Sequence, residues 1–290
     1  MKSDVQAIRF GLIAVFLWST VATAFKFSLE YLSPEQLVLF ASISSLIVLL
    51  IIIIKQNKFA LVYTYIKEKY VLILLLGAIN PFLYYLVLFK AYDLLPAQEA
   101  QAINYTWALM LAYLSVPFLK QKLTLKDFIA GVICYFGVLV ISTKGDPLSL
   151  NFSNIDGVLF ALLSTVLWAS YWIFNTKSKV DPVVGLFSNF LFAIPLIVVY
   201  NIYMEQFYLP EFTGILGAIY VGLFEMGITF LFWLKAMQST TSTSKIANLI
   251  FISPFFSLVF IYFILGEQIY FSTITGLLFI IIGLVIQKRA

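Results

Sequence analysis

Ten apolar stretches of about 20 residues each follow one another along this chain, separated by short polar segments. About 20 helical residues cross a hydrocarbon core of about 30 Å, and a chain in lipid must satisfy its own backbone hydrogen bonds. We therefore predict an all-α integral membrane protein with ten transmembrane helices. The predicted helices cover residues 9–29, 35–54, 70–92, 97–119, 126–143, 155–175, 183–204, 212–235, 243–265 and 271–288.

The composition agrees with this class and leaves almost nothing for a soluble domain. Hydrophobic residues make up 62% of the chain, charged residues make up 11%, and the mean hydropathy is +1.00, which soluble domains do not reach. The predicted partner is therefore a lipid bilayer. The first apolar stretch is too long for the core of a signal peptide and is followed by nine more predicted spans, so we expect it to be retained.

The basic residues indicate the orientation in the membrane. If both termini lie on one side, that side holds 15 of the 18 lysines and arginines, and the other side holds Lys26, Lys90 and Lys144. Lysine and arginine concentrate in cytoplasmic loops. We expect cytoplasmic termini and a location in the inner membrane. The net charge of +4 follows from this topology and gives no reason to expect a nucleic-acid partner.

Glu225 lies halfway along the apolar run 212–234. A charged side chain at this depth costs roughly 2.5 to 3.5 kcal/mol on insertion scales, and such groups usually face a polar cavity. We interpret Glu225 as the mark of a binding site, where a bound cation or a coupling proton could alternate. The alternative is a protonated carboxyl group that hydrogen-bonds a neighbouring helix.

An internal comparison indicates two related halves. Without a gap, a shift of 145 residues superposes Gly77 on Gly222, Asn80 on Glu225, and Lys90-Ala91 on Lys235-Ala236. Each half, 1–145 and 146–290, then holds five predicted spans. Because five is an odd number, the halves would lie in the membrane as inverted repeats. Secondary transporters are often built this way, with the substrate site near the midplane between the repeats.

Pro81 and Pro254, two of the prolines within predicted spans, are candidate interruptions. Pro81 follows Asn80 in the third span, and Pro254 lies in the ninth. Proline removes a helical hydrogen bond and kinks the helix, so both positions are candidate hinges. Tyr84 adds a hydroxyl one turn after Asn80, and Asn248 adds an amide before Pro254. For the third span, the alternative is a packing kink with a hydrogen bond between helices.

The fourth predicted span carries a stripe of polar and small residues. Its members, spaced by three and four residues, are Gln98, Gln101, Tyr105, Ala108, Ala112 and Ser115. Such a stripe either lines a cavity or allows close packing on another helix. Because Gln101 and Tyr105 lie in the outer half of the span, we expect a cavity at its outer end.

Aromatic residues complete the set of candidates. Trp168 and Tyr171 share one face of the sixth span, and Trp18 stands beside a polar stripe on the first span. Aromatic rings can stack on a flat substrate or hold an ammonium group by cation–π attraction. Filling of the core is the alternative interpretation.

The sequence has few of the residues that enzymes commonly use for catalysis. The chain has no histidine and one cysteine, Cys134, and no carboxylates are paired within the predicted spans. These features argue against an enzyme, a metal site or a cofactor. No G-x-x-x-x-G-K-[ST] motif occurs, so the chain has no ATP-binding loop of that kind. We interpret Cys134 as a small packing residue.

The order and motifs of the spans resemble a known family. The run GLIAVFLWST at residues 11–20 and the stretch from Pro254 to Leu265-Gly266-Glu267-Gln268 resemble EamA-type proteins of the drug/metabolite transporter superfamily. Lys120-Gln121-Lys122 departs from the LGEQ pattern in the first half. The stretches NYTW at 104–107 and LWASY at 167–171 are similar to members that export amino acids. The resemblance implies a central cavity lined by the first, third, fourth, sixth, eighth and ninth spans.

The expected function is secondary active export of a small metabolite, such as an amino acid or related amine, by alternating access. Glu225 would hold the substrate amine or a proton. Hydrogen bonds would come from Asn80, Gln101, Tyr105 and Asn248, and an aromatic wall from Trp168 and Tyr171. One alternative is a proton-coupled exporter of lipophilic or quaternary cations. The other is a membrane scaffold subunit that transports nothing.

Overall fold

A computed structural model describes residues 4–120, 122–176, 180–240, 246 and 248–288. Within these ranges, all regular secondary structure is helical. Among the described residues, eight helical stretches, some of them interrupted, are long and apolar enough to cross a membrane, and two shorter apolar stretches cover Ile250–Leu265 and Phe271–Gln287. The predicted all-α membrane protein is therefore confirmed at this level. The predicted start of the ninth span, at residue 243, lies outside the described residues.

Most helices follow the predicted spans and several are interrupted, but the helix of the third span begins at Phe59, well before its predicted start at residue 70. In chain order they are α1 (Asp4–Ser19), α2 (Val21–Leu29), α3 (Pro34–Lys55), α4 (Phe59–Gly77), α5 (Tyr84–Leu94), α6 (Ala97–Asn104), α7 (Trp107–Leu119), α8 (Leu125–Ser142), α9 (Ile155–Thr176), α10 (Pro182–Tyr203), α11 (Phe212–Phe224), α12 (Ile228–Ser239), α13 (Ser253–Phe260) and α14 (Phe271–Lys288). Short π-helical segments cover Ala78–Leu83 and Ile261–Leu265, and a 3₁₀ turn covers Ile250–Ile252.

Polar side chains define where several helices begin. The Ser33 hydroxyl caps α3 by accepting from the Gln36 backbone amide, and the Gln36 side-chain oxygen accepts from the Ser33 backbone amide. Asp181 caps α10 by accepting from the backbone amides of Val183 and Val184. Such caps satisfy amide groups that the first turn of a helix leaves without partners. They fix the helix ends at the edges of the apolar stretches.

The described chain divides into two compact units. The first unit comprises Met1–Ile73 and Asp181–Glu267, and the second comprises Leu74–Val180 and Gln268–Ala290. Each unit therefore combines segments from both ends of the sequence. This division follows spatial contacts, whereas the predicted repeats 1–145 and 146–290 follow sequence similarity. The repeats stay a prediction.

Within the first unit, glycines on α11 allow close packing against α2 and α3. A Cβ atom added to Gly217 would lie 2.4 Å from the hydroxyl oxygen of Ser28. A Cβ atom added to Gly222 would lie 2.3 Å from the carbonyl oxygen of Ala41. Both distances are far shorter than van der Waals contact, and at Gly222 the obstacle is backbone, so a larger residue there would force the helices apart.

Within the second unit, α8 and α14 pack tightly through small residues. A Cβ atom on Gly276 would lie 2.6 Å from the carbonyl oxygen of Gly137, and one on Gly283 would lie 2.5 Å from the sulfur of Cys134. The Cys134 thiol is fully buried and donates to the carbonyl oxygen of Ile280 at 3.3 Å. Cys134 is therefore a packing residue at a helix contact, as the sequence indicated.

Candidate functional site

The predicted span around Glu225 is broken in the first unit. Helix α11 ends at Phe224 and α12 begins at Ile228, so Glu225 lies in the gap between the two helices. The Glu225 amide still donates to the carbonyl oxygen of Val221 at 2.9 Å, and its side chain is half-buried. A helix break in an apolar span exposes backbone polar groups that lipid cannot satisfy.

Side-chain hydroxyls bind the backbone at this break. Ser45 of α3 donates to the carbonyl oxygen of Met226 at 3.1 Å, and Thr229 donates to that of Phe224. Both hydroxyl-bearing residues are fully buried. Neither was predicted from the sequence, although the serines at 42, 44 and 45 stand out in an otherwise aliphatic run. The break is thus an ordered feature with its own polar partners.

Trp18 packs in the first unit against α12. Its indole lies 5.5 Å from the ring of Phe230 and 5.4 Å from that of Trp233, measured between centroids. Two residues later, Thr20 separates α1 from α2 and shares a hydrogen bond of 2.7 Å with the Tyr220 hydroxyl of α11. The structure therefore places Trp18 in an aromatic contact with α12.

The other two candidates of the first unit lie near the start of α13. Pro254 is buried in the first turn of α13, next to Ser253, whose hydroxyl accepts from Ser19 at 3.3 Å. Asn248 precedes this helix and is exposed. Proline is well tolerated in a first helical turn, because its missing amide proton is not needed there.

In the second unit, Asn80 and Pro81 lie within the π-helical segment Ala78–Leu83. Asn80 has an extended backbone, with φ −141° and ψ 119°, and is 3% exposed. Its side-chain oxygen is buried and has no hydrogen-bond donor among the described residues. The predicted interruption of the third span is therefore present, and it leaves one buried acceptor unpaired.

Tyr84, Trp168 and Tyr171 form an aromatic stack in the second unit. The Tyr84 and Trp168 rings are stacked at 4.5 Å between centroids and 25°, and those of Trp168 and Tyr171 at 5.7 Å and 22°. Trp107 and Trp172 meet Trp168 edge-on. Stacked and edge-on pairs are the favoured geometries for aromatic rings. The structure thus brings together three of the predicted site residues.

Gln101 and Tyr105 lie where the fourth predicted span is interrupted. Helix α6 ends at Asn104 and α7 begins at Trp107. Gln101 is 7% exposed, and its backbone carbonyl oxygen accepts from the Tyr105 backbone amide at 3.1 Å. Beside them, the Asn104 amide group donates to the Ser164 hydroxyl of α9 at 2.9 Å. This bond joins α6 to α9.

A cavity of about 360 Å³ lies along the same stripe, within the second unit. It adjoins Ala108, Ala112 and Ser115, further along the span than the outer end where a cavity was expected. At that outer end, the Gln98 side chain donates to the carbonyl oxygen of Gln268 at 2.7 Å and accepts from the Thr273 hydroxyl at 2.7 Å. Gln98 therefore fastens α6 to α14.

Glu99 is a buried acid in the first turn of α6. It is 4% exposed, and the Ser153 hydroxyl lies 2.8 Å from both of its carboxylate oxygens. No sequence signal distinguished Glu99 from the exposed acids, because its partner lies 54 residues away in a loop.

Comparison with known proteins agrees with this architecture. An uncharacterized transporter of Clostridium kluyveri is 26% identical over 64% of this chain and 65% of its own length. One from Archaeoglobus fulgidus is 25% identical over 96% of this chain and 97% of its own. The uncharacterized transporter YvbV of Bacillus subtilis is 26% identical over 92% of this chain and 86% of its own length.

A solved crystal structure has a similar fold, with a TM-score of 0.67 over 99% of this chain and 98% of that chain at 18% identity. The EamA-like transporter family matches residues 6–143 and 155–287, nearly the whole sequence. The chain therefore belongs to the EamA-like transporter family, which confirms the expectation of a membrane transporter rather than an enzyme.

Proposed function

We propose that this chain is a secondary active transporter that exports an amino acid or a related amine by alternating access. The break between α11 and α12 carries the proposal, because it combines a carboxylate with interrupted backbone in a long apolar span. Discontinuous membrane helices commonly form the substrate and ion sites of secondary transporters. In this proposal, Glu225 binds the substrate amine or a coupling proton.

The remaining candidates supply the other contacts of the proposed site. Asn80, with its unpaired buried oxygen, accepts a hydrogen bond from the substrate. Gln101, Tyr105 and Asn248 add polar contacts, and Trp18 adds a ring. The stack of Tyr84, Trp168 and Tyr171 provides the aromatic wall. Pro81 and Pro254 act as hinges. These are proposed roles, supported by the burial and stacking described above.

The proposed framework is ten spans in two inverted repeats, 1–145 and 146–290. The observation that supports it is that both residues superposed by the shift of 145 lie at helix interruptions, Asn80 in Ala78–Leu83 and Glu225 between α11 and α12. The repeats would rock around the site to open it to each side in turn. The excess of basic residues on one side supports cytoplasmic termini in the inner membrane.

A second candidate substrate class is favoured by the aromatic stack. Aromatic faces attract quaternary ammonium groups, and each such contact contributes about 0.5 to 2 kcal/mol. A proton-coupled exporter of lipophilic cations would use the same stack together with Glu225. Competition distinguishes the two classes, because a permanent cation would inhibit the cation exporter and a zwitterion would inhibit the amino-acid exporter.

Transport by proteoliposomes tests the proposal. We expect Glu225→Gln to lose at least about 90% of uptake and to lose its pH dependence, since one lost charged contact corresponds to about tenfold or more. Glu211→Gln, an exposed acid at the start of α11, serves as the matched control. Wild-type rates and an unchanged pH profile for Glu225→Gln would contradict the role of Glu225.

A further inference from the structure

The cavity of about 360 Å³ in the second unit has a wall composition unlike the surroundings of Glu225. Three helices line it. From α7 come Ala108, Leu111, Ala112, Ser115 and Leu119, from α9 come Trp172 and Ile173, and from α14 comes Gln287. None of these residues has a role in the proposed transport site, so a function of this cavity is independent of that proposal.

Small residues on α7 create the space. Ala108, Ala112 and Ser115 recur at intervals of four and three residues, which places them on one face of the helix. Helices α7 and α9 run side by side in the same direction. Asn104, just before α7, bonds Ser164 of α9, and Phe118 near the end of α7 contacts Phe174 near the end of α9. The small side chains on α7 therefore leave an elongated space beside α9, and this space, which we call the slot, is the cavity described above.

The larger side chains make the slot mostly apolar. Leu111, Leu119 and Ile173 contribute aliphatic surface, and Trp172 contributes a flat aromatic ring. The volume lies within the range of about 300 to 1,000 Å³ that is typical of small-molecule sites. The walls thus suit an aliphatic or aromatic body of modest size.

Polar capacity comes from three neutral side chains, and one of them is Trp172, whose indole N–H is buried without an acceptor among the described residues. Gln287 is half-buried and has an amide that can both donate and accept, and the Ser115 hydroxyl donates to the carbonyl oxygen of Ala112 at 2.6 Å. None of the eight lining residues is charged. A buried charge without a partner is costly, so an ion or a zwitterion is a poor occupant of this cavity.

We infer that this cavity is a second ligand site, which binds a small uncharged molecule with an apolar or aromatic body and one hydrogen-bonding group. The body lies against Trp172, Leu111 and Ile173, and the polar group meets the amide of Gln287. Trp172 also contacts Trp168 edge-on at 5.9 Å between centroids. Trp172 therefore lines the cavity and also contacts the aromatic stack.

Photolabelling with benzophenone tests the inference. This probe is uncharged, has two rings and one carbonyl acceptor, and on illumination attaches to carbon atoms that it contacts. The full-length protein in lipid nanodiscs is labelled over a range of probe concentrations, and the adducts are mapped by mass spectrometry. We expect saturable labelling of peptides that contain residues 108–119 and 172–173. 4-Benzoylbenzoate, which has a similar size and a negative charge, should label these peptides at least about tenfold less.

Three variants make the result specific to the cavity. Ala112→Phe fills the slot and should abolish saturable labelling, whereas Val116→Phe adds the same ring to α7 outside the lining and should retain it. Gln287→Leu should weaken labelling about threefold to tenfold, the range expected for one lost hydrogen bond. Unfolding midpoints of the two phenylalanine variants show whether each remains folded.

Three outcomes would overturn the inference. One is labelling that spreads over the exposed apolar surface without saturating, as contact with lipid-facing helices would give. Another is a folded Ala112→Phe protein that is labelled like wild type. The third is equal labelling by the charged and uncharged probes. None of these outcomes depends on transport. The labelling experiment can therefore fail while the role of Glu225 in transport holds, and the role of Glu225 can be contradicted while the labelling result holds.

Discussion

Asn80 and Glu225 occupy matching positions in the internal comparison, and both interrupt a membrane helix, but their surroundings differ. At Glu225 the neighbouring carbonyl oxygens of Phe224 and Met226 accept from hydroxyls of Thr229 and Ser45. At Asn80 the backbone is extended within the π-helical segment, and the buried side-chain oxygen has no donor among the described residues.

This difference separates two ways of placing polar groups at depth in an apolar span. At the break around Glu225, hydroxyls from Ser45 and Thr229 bind backbone oxygens. The segment at Asn80 leaves an acceptor unpaired, which costs about 1 to 3 kcal/mol unless something binds it. Substitutions in and around the two regions test whether the contrast is real.

The largest effect is expected for charge placed at the Asn80 position. Asn80→Asp keeps the size of the side chain and should lower the free energy of unfolding by about 3 kcal/mol or more at pH 8, because the new carboxylate would be buried without a donor. Glu225→Gln, the opposite exchange, should change it by less than about 1 kcal/mol. Thermal or denaturant unfolding in detergent measures both. Equal stability of Asn80→Asp and wild type would remove the contrast.

The next effect concerns the packing that supports the break. Gly222→Val places carbon atoms against the carbonyl oxygen of Ala41, which a Cβ would approach to 2.3 Å. Since the obstacle is backbone, we expect a loss of about 2 to 3 kcal/mol in the free energy of unfolding. Leu216→Val introduces the same residue on the exposed face of α11 and should cost less than about 1 kcal/mol. Similar losses for both variants would show that helix propensity, and not the contact with α3, controls this region.

A smaller effect is expected from the hydroxyls of α3. Ser45→Ala removes the donor to Met226 and should cost about 1 kcal/mol in stability. Ser42 is buried on the same helix, but its hydroxyl has no partner among the described residues. Ser42→Ala should therefore be neutral or slightly stabilising, which makes it a matched control. If the two variants cannot be distinguished by their unfolding midpoints, the hydroxyl at Ser45 does not support the break.

The smallest effect is expected at Asp181, an acid of the first unit outside the spans. Its carboxylate lies 2.7 Å from the Lys58 ammonium. Burial raises the pKa of Asp181, but the hydrogen bonds and the charge of Lys58 outweigh burial, so the pKa falls below its ordinary value of 3.8. A lowered carboxylate pKa stabilises the fold above the unfolded-state pKa, and this stabilisation is lost as the pH falls through the folded-state value.

Asp181→Asn should therefore cost no more than about 1 kcal/mol near neutral pH, with a deficit that shrinks only below about pH 4. Because Asp181 stays ionised between about pH 5 and 9, the pH profile of transport should match that of wild type. Proteoliposome uptake across that range is the measurement. If Asp181→Asn changed the pH profile of transport as much as Glu225→Gln does, the pH dependence of transport could not be assigned to Glu225 alone.

The helix positions were predictable because length and hydropathy determine them. The interruption of the third predicted span, at Pro81, was also visible, since proline cannot donate a backbone hydrogen bond. The breaks after Ser19, Asn104 and Phe224 carried no comparable signal. They depend on contacts from other helices, such as the hydroxyls of Ser45 and Tyr220, that lie far away in sequence.

The composition of the candidate site was only partly predictable. The aromatic stack joins Tyr84 of α5 to Trp168 and Tyr171 of α9, and helical spacing alone could relate only the last two. The stripe on the fourth span was visible in the sequence, but the partners of Gln98 and the position of the cavity depend on α14. Burial of Glu99 depends likewise on a loop residue, Ser153.

The interleaved composition of the two compact units has a consequence for biosynthesis. When the ribosome has made the first 180 residues, the first unit still lacks Asp181–Glu267, and the second cannot be completed before Gln268–Ala290 emerge. Helices that are inserted early therefore remain in the bilayer without their packing partners until the later helices have been translated. A premature stop codon near the end of the gene would leave α8 without α14, and the nascent product would be a substrate for quality-control proteases.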